Sequence, residues 1–164
     1  MIDLKFFYED YIPREFQLKL GKGKRGYVEF YLVNNVKNHD YSQVKFYDKR
    51  NIGETPFFYF SNILCKIKRR EIDQYTDFRL SKLELGVFLK KLKKYKKELA
   101  KCSTKNELIV CCTKYSSKYF ISNSKHEFEF WELLSTHLTS IVEQLIAFVE
   151  RSLNENKIMF VVGT

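Results

Sequence analysis

Lysines and arginines recur beside tyrosines in this chain, and that pairing has a definite chemistry. Cations follow a phosphate backbone while aromatic rings stack on unpaired bases, each stacked base contributing roughly 1 to 3 kcal/mol. Along Tyr27-Val28-Glu29-Phe30-Tyr31-Leu32, an extended strand changes faces at every residue, so Tyr27 and Tyr31 share one face and Val28, Phe30 and Leu32 the other. By the same alternation Lys45, Tyr47 and Lys49 lie together opposite Phe46, and Arg50 continues the basic rim. Lys66, Lys68, Arg69 and Arg70 close a later run, while Lys114, Tyr115, Lys118 and Tyr119 bracket another. Just ahead of Tyr27, the segment Gly21-Lys22-Gly23-Lys24-Arg25-Gly26 crowds cations at a turn that its glycines permit. It is no phosphate-cradling P-loop, since no helix pattern follows and no Lys-Ser or Lys-Thr closes it. The nucleic-acid-binding candidates are therefore Lys22, Lys24, Arg25, Tyr27, Tyr31, Lys45, Tyr47, Lys49, Arg50, Lys66, Lys68, Arg69, Lys114 and Tyr119. For each tyrosine, half-buried cross-strand packing is the competing role.

Other chemistries find less support. His39, His126 and His137 have no cysteine or carboxylate at a metal-binding spacing, and His137 reads as a structural histidine beside a helix core stripe. Cys111 and Cys112, read as strand neighbours, point to opposite faces and make no nucleophile with a base. The carboxylates of Glu9-Asp10 and of Glu127 with Glu129 are generically spaced. No catalytic residue, metal or cofactor is expected. With Cys65 and Cys102 the chain has four cysteines, no C-x-x-C pair and no secretory leader, so a reducing, intracellular compartment is expected.

Composition agrees with a polyanion as partner. Lys and Arg number 29 against 20 Asp and Glu, a formal charge of +9, and such a field steers polyanions toward the surface. Aromatic residues reach 16% of the chain, more than one modest core needs, although AT-rich coding would enrich Lys, Tyr and Phe whatever the function. No apolar run approaches the roughly 20 residues that cross a bilayer, and Ile158 to Val162 is far too short, so no membrane association is expected.

These residues need elements to hold them. The 164 residues fit a single α+β domain, with residues 1–100 and 101–164 as its two halves. Strands are expected near Asp3 to Tyr8, Glu15 to Leu20, Tyr27 to Val33, Gln43 to Tyr47, Phe57 to Ile67 and Tyr75 to Leu80, where aromatic and β-branched runs alternate with polar turns. From Ser81 the period becomes 3.6, with Leu85, Phe88, Leu92, Tyr95 and Leu99 on one stripe of a helix to about Ala100. Ser81 and Glu84 have capping-box spacing, and Leu80 with Leu85 can staple the helix start. Its far face carries Lys90, Lys93, Lys94, Lys97 and Lys101, as either a phosphate-binding ridge or a solvated face. A second hairpin, Glu107 to Lys114 and Lys118 to Asn123, precedes a second helix from Ser124 to about Leu153, again with Ser-x-x-Glu spacing. That helix is apolar over a wide arc, which calls for a homo-oligomer or a central place in a monomeric core. Antiparallel strands followed by an amphipathic helix would thus occur twice.

The junction Tyr75-Thr76-Asp77-Phe78-Arg79-Leu80-Ser81-Lys82-Leu83-Glu84-Leu85-Gly86 resembles the first strand-to-helix junction of the Whirly family, which has Phe-x-Leu-Ser-x-x-Glu-x-Gly there. The Lys22-Gly23-Lys24 turn and the aromatic, Leu-rich stretch from His126 to Phe148 are loosely similar to that family too. The resemblance implies two antiparallel four-stranded sheets with two helices, homotetramers in the plant proteins, and binding of single-stranded DNA along sheet edges. Kinetoplastid guide-RNA-binding proteins share that architecture. This chain departs from it in having room for fewer strands in its second half and a lysine-rich first helix unsuited to a tetramer centre. The expected function is non-catalytic binding of single-stranded DNA or RNA. The alternative is a protein-binding inhibitor or immunity-type module that neutralises an acidic protein partner.

Overall fold

The computed structural model describes residues 16–20, 27–34, 46–73, 75–116, 121 and 125–163. Alternation along β2 (Tyr27–Asn34) sends Val28, Phe30 and Leu32 into the core, as expected. On that face they are joined by Ile52 of β3 (Phe46–Gly53), Met159 and Val161 of β5 (Lys157–Gly163), and Phe78 and Leu80 of β4 (Phe78–Leu80). With β1 (Lys19–Leu20) these strands form an antiparallel sheet of order β1-β3-β2-β5-β4. The molecule is an α+β fold, its helices packed on the core face of the sheet.

Two helices of that layer follow their sequence patterns. Helix α3 (Lys82–Leu99) buries Leu85, Phe88, Leu92, Tyr95 and Leu99. Its capping box is formed: the Ser81 hydroxyl accepts from the Glu84 N–H at 3.3 Å, and the Glu84 carboxylate accepts from the Ser81 N–H at 2.8 Å. Helix α5 (Trp131–Asn154) packs on α3 and on β5, burying Leu134, Leu138, Ile141, Val142, Leu145, Phe148 and Val149. Of its wide apolar arc, Trp131, Ile146 and Leu153 pack against the core while staying partly exposed.

Several expectations are corrected. Phe57 to Ile67 is not a strand but two short helices, α1 (Glu54–Phe58) and α2 (Ser61–Lys68). Phe57, Phe60, Ile63 and Leu64 are all buried, a three-and-four spacing that the aromatic, strand-favouring composition masks, and Phe57 meets Phe60 edge-on at 5.4 Å. Glu107 to Lys114 is likewise helical, in α4 (Lys105–Tyr115), with Leu108, Cys111, Cys112 and Tyr115 buried. Its start carries the same signal as α3, since the Thr104 hydroxyl accepts from the Glu107 N–H at 3.2 Å. The second half therefore does not repeat a hairpin before its helix. Only Phe78–Leu80 of the Tyr75 to Leu80 segment pairs as a strand. The second long helix starts at Trp131 after a 3₁₀ segment, Lys125–Phe130, and its N-cap, Phe130, makes no side-chain cap. The expected strands Asp3 to Tyr8 and Lys118 to Asn123 lie outside the described residues, apart from Ile121. Lys157–Gly163, expected only as a short apolar run, is β5 and pairs with both β2 and β4.

Candidate functional site

The strand surface expected to meet nucleic acid is more closed than alternation alone suggests. Tyr31 is half-buried and its hydroxyl donates to the Glu29 carboxylate, itself only 6% exposed. Val33 and Ile158, register partners on the same face, are buried too. Tyr27 lies opposite Gly53 and Lys49 opposite Tyr31, but the register shifts between Leu32 and Val33, where Asp48 and Phe46 are the successive partners. Tyr47 falls in this irregularity. Arg50 is paired with Phe30, on the core face and not the face of Tyr31. Lys22, Lys24, Arg25, Lys45 and Tyr119 lie outside the described residues.

Lys66, Lys68 and Arg69 end a helix, not a strand. Lys68 is a structural tie: its ammonium lies 2.7 Å from the Glu84 carboxylate and donates to the Arg79 carbonyl at 3.0 Å. Burial raises the Glu84 carboxyl, but its hydrogen bonds from Lys68 and Ser81 hold it below the ordinary range. Arg69 is the left-handed C-cap of α2, at φ 53°, and is exposed. Lys66 points elsewhere, into a cleft of about 230 Å³ lined by Ile63 and Ile67 of α2, Val87 and Lys91 of α3, and Lys114 and Tyr115 of α4. The structure thus brings together two of the expected residues, Lys66 and Lys114, and adds Lys91. Lys91 stands one helical turn from Val87, a spacing the sequence displays once both are placed on α3.

The walls of this cleft are fixed. The Asn62 amide donates to the Lys114 carbonyl at 3.0 Å, and the Ser116 hydroxyl donates to the Tyr59 carbonyl at 3.2 Å. Tyr115 stacks on Tyr95 with ring centroids 4.1 Å apart. Lys114 pairs with Glu98 at 3.2 Å, whereas Lys66 and Lys91 have no ion-pair partner among the described residues. Burial raises the Glu98 carboxyl, and hydrogen bonds from Lys114 and Tyr115 outweigh it.

A second basic surface runs along α3, where Gly86, Leu89, Lys90, Lys93, Lys94 and Lys97 line an open groove of about 470 Å³. Its lysines divide by direction. Lys93 meets Glu150 of α5 at 2.7 Å and Lys94 lies 3.8 Å from Glu98, while Lys90 and Lys97 have no ion-pair partner among the described residues. Lys96, outside the groove, meets Glu143 of α5 at 2.8 Å.

Cys111 and Cys112, neighbours on a helix and not on a strand, are buried; burial pushes the Cys112 thiol up to about 12 and the Cys111 thiol higher still. His137 packs against Phe16 with ring centroids 5.8 Å apart, and its buried Nε2 has no hydrogen-bond partner among the described residues. Among those residues no helix is long and apolar enough to cross a membrane. The chain matches no protein-family model, no curated protein and no solved structure.

Proposed function

We propose that the chain binds single-stranded nucleic acid without catalysis, holding the strand along the lysine groove of α3. The observation that carries this reading is the row of Lys90, Lys93, Lys94 and Lys97 in one open groove, two of them without ion-pair partners among the described residues. A helix rises 1.5 Å per residue, so Lys90 to Lys97 covers about 10 Å, a length over which successive phosphates can each meet a cation. Gly86 leaves open space at the end of the groove, where a backbone can approach closely. The formal charge of +9 draws the strand in. The Whirly-like junction supports the same reading, because Phe78–Leu80 does lead as a strand into the capped α3. In this reading the protein works inside the cell. A homo-oligomer remains part of the proposal, to be measured by light scattering.

Fluorescence anisotropy with labelled single- and double-stranded DNA and RNA tests it. Single strands should bind more tightly than duplex, with log K falling against log salt by about 0.7 per phosphate contacted. Lys90→Gln with Lys97→Gln should flatten that slope by about 0.7 per lysine removed. A flat salt response in the unaltered protein overturns the proposal. The labelled strands should stay intact in Mg²⁺ or Mn²⁺; their cleavage would show a nuclease instead.

A further inference from the structure

The cleft between α2, α3 and α4 has a different chemistry from the α3 groove. Its rim carries three lysines from three separate helices, Lys66, Lys91 and Lys114, all exposed. Its floor is apolar, and Val87 is 47% exposed within it. One more exposed apolar residue leads to it by helical spacing: Leu83 lies one turn before Val87 on α3. Apolar residues uncovered together inside a polar rim mark interaction sites more often than scattered ones do.

We infer that this cleft is a docking site for an acidic segment of a second protein, which inserts an aliphatic side chain between Ile67 and Val87 while its carboxylates meet the lysines. Charge complementarity selects the acidic partner, because Lys66 and Lys91 are left without ion-pair partners among the described residues. The floor selects a peptide over a nucleic acid. The one ring lining it among the described residues, Tyr115, is 6% exposed and stacked on Tyr95, so it offers no face on which a base could lie. The rim is also preorganised: Asn62 ties α2 to α4, and Lys68 ties α2 to α3 through Glu84, so docking orders little that is not already ordered. This inference is independent of the α3 groove, whose lysines Lys90 and Lys97 line other space.

The test is anisotropy with the full chain and a short fluorescein-labelled peptide in which acidic residues flank a leucine. Val87→Glu and Lys91→Glu should each weaken its binding by about tenfold or more, the range of an interface anchor. Both positions are exposed, so the variants should keep the circular dichroism and melting temperature of the parent. A peptide of equal charge with serine for leucine should also bind about tenfold or more weakly. Lys90→Gln with Lys97→Gln should leave the peptide's affinity unchanged, which separates this site from the nucleic-acid groove. Equal binding of the leucine and serine peptides overturns the inference. So does a Val87→Glu protein that keeps its peptide affinity but loses oligothymidylate, since the cleft would then serve nucleic acid.

Discussion

The Lys68 ammonium sits 2.7 Å from the Glu84 carboxylate, and the same carboxylate closes the capping box with Ser81. One acid thus holds the end of α2 and the start of α3, which are two of the three walls of the lysine-rimmed cleft. Ser81→Ala should cost about 1 kcal/mol, the usual effect of losing an N-cap oxygen. Because the folded-state carboxyl of Glu84 titrates below its ordinary value, its stabilisation is present above the ordinary glutamate range and is lost as pH falls through the lowered value. Denaturant melts at pH 7 and pH 3 should show Glu84→Gln destabilising more at the first than at the second.

Gly86 and Phe88 stand on opposite sides of α3, and substitution should separate them. A Cβ at Gly86 meets nothing within 4 Å, so Gly86→Ala should stabilise by about 0.5 to 1 kcal/mol through helix propensity. Phe88 is fully buried, and Phe88→Ala should cost about 3 to 5 kcal/mol by opening a cavity. Urea titrations of the two variants read both numbers; a destabilised Gly86→Ala would mean that the groove beside it is not open.

Burial holds the His137 imidazole below its ordinary pKa, and its Nε2 has no partner among the described residues to share a proton with. The unfolded chain therefore binds the proton more readily than the folded one. Stability is fully present above about pH 6.5, the ordinary histidine value, and declines as pH falls toward the lowered value. Thermal melts between pH 7.5 and 5 should show this decline, and His137→Leu should remove a measurable part of it.

The thiol of Cys112, pushed up to about 12 by burial, should resist alkylation in the native state. Mass spectrometry after brief iodoacetamide treatment near pH 8 should find Cys112 unmodified, and modified once the chain is denatured. Rapid native labelling at that position would contradict the burial on which the α3–α4 packing depends.

Element type was legible wherever a signal was local and long. The eight residues of β2 and the eighteen of α3 repeat their period several times, and the capping box at Ser81 marks a start that no distant contact has to supply. The short runs misled for a physical reason: over five to eleven residues, aromatic and β-branched composition suits a strand, while the burial of every third or fourth side chain is what makes α1, α2 and α4 helical. Thr104 and Glu107 carried a readable cap for α4, outweighed by composition.

That the protein is basic, aromatic and α+β was written in its residues and their periods, because charge and periodicity are properties of the chain itself. Packing settled the rest. β5 became a strand because β2, more than a hundred residues earlier, offered it a ladder of backbone partners. Lys66, Lys91 and Lys114 became one rim because three helices, each burying its own stripe, left their remaining faces turned toward the same cleft.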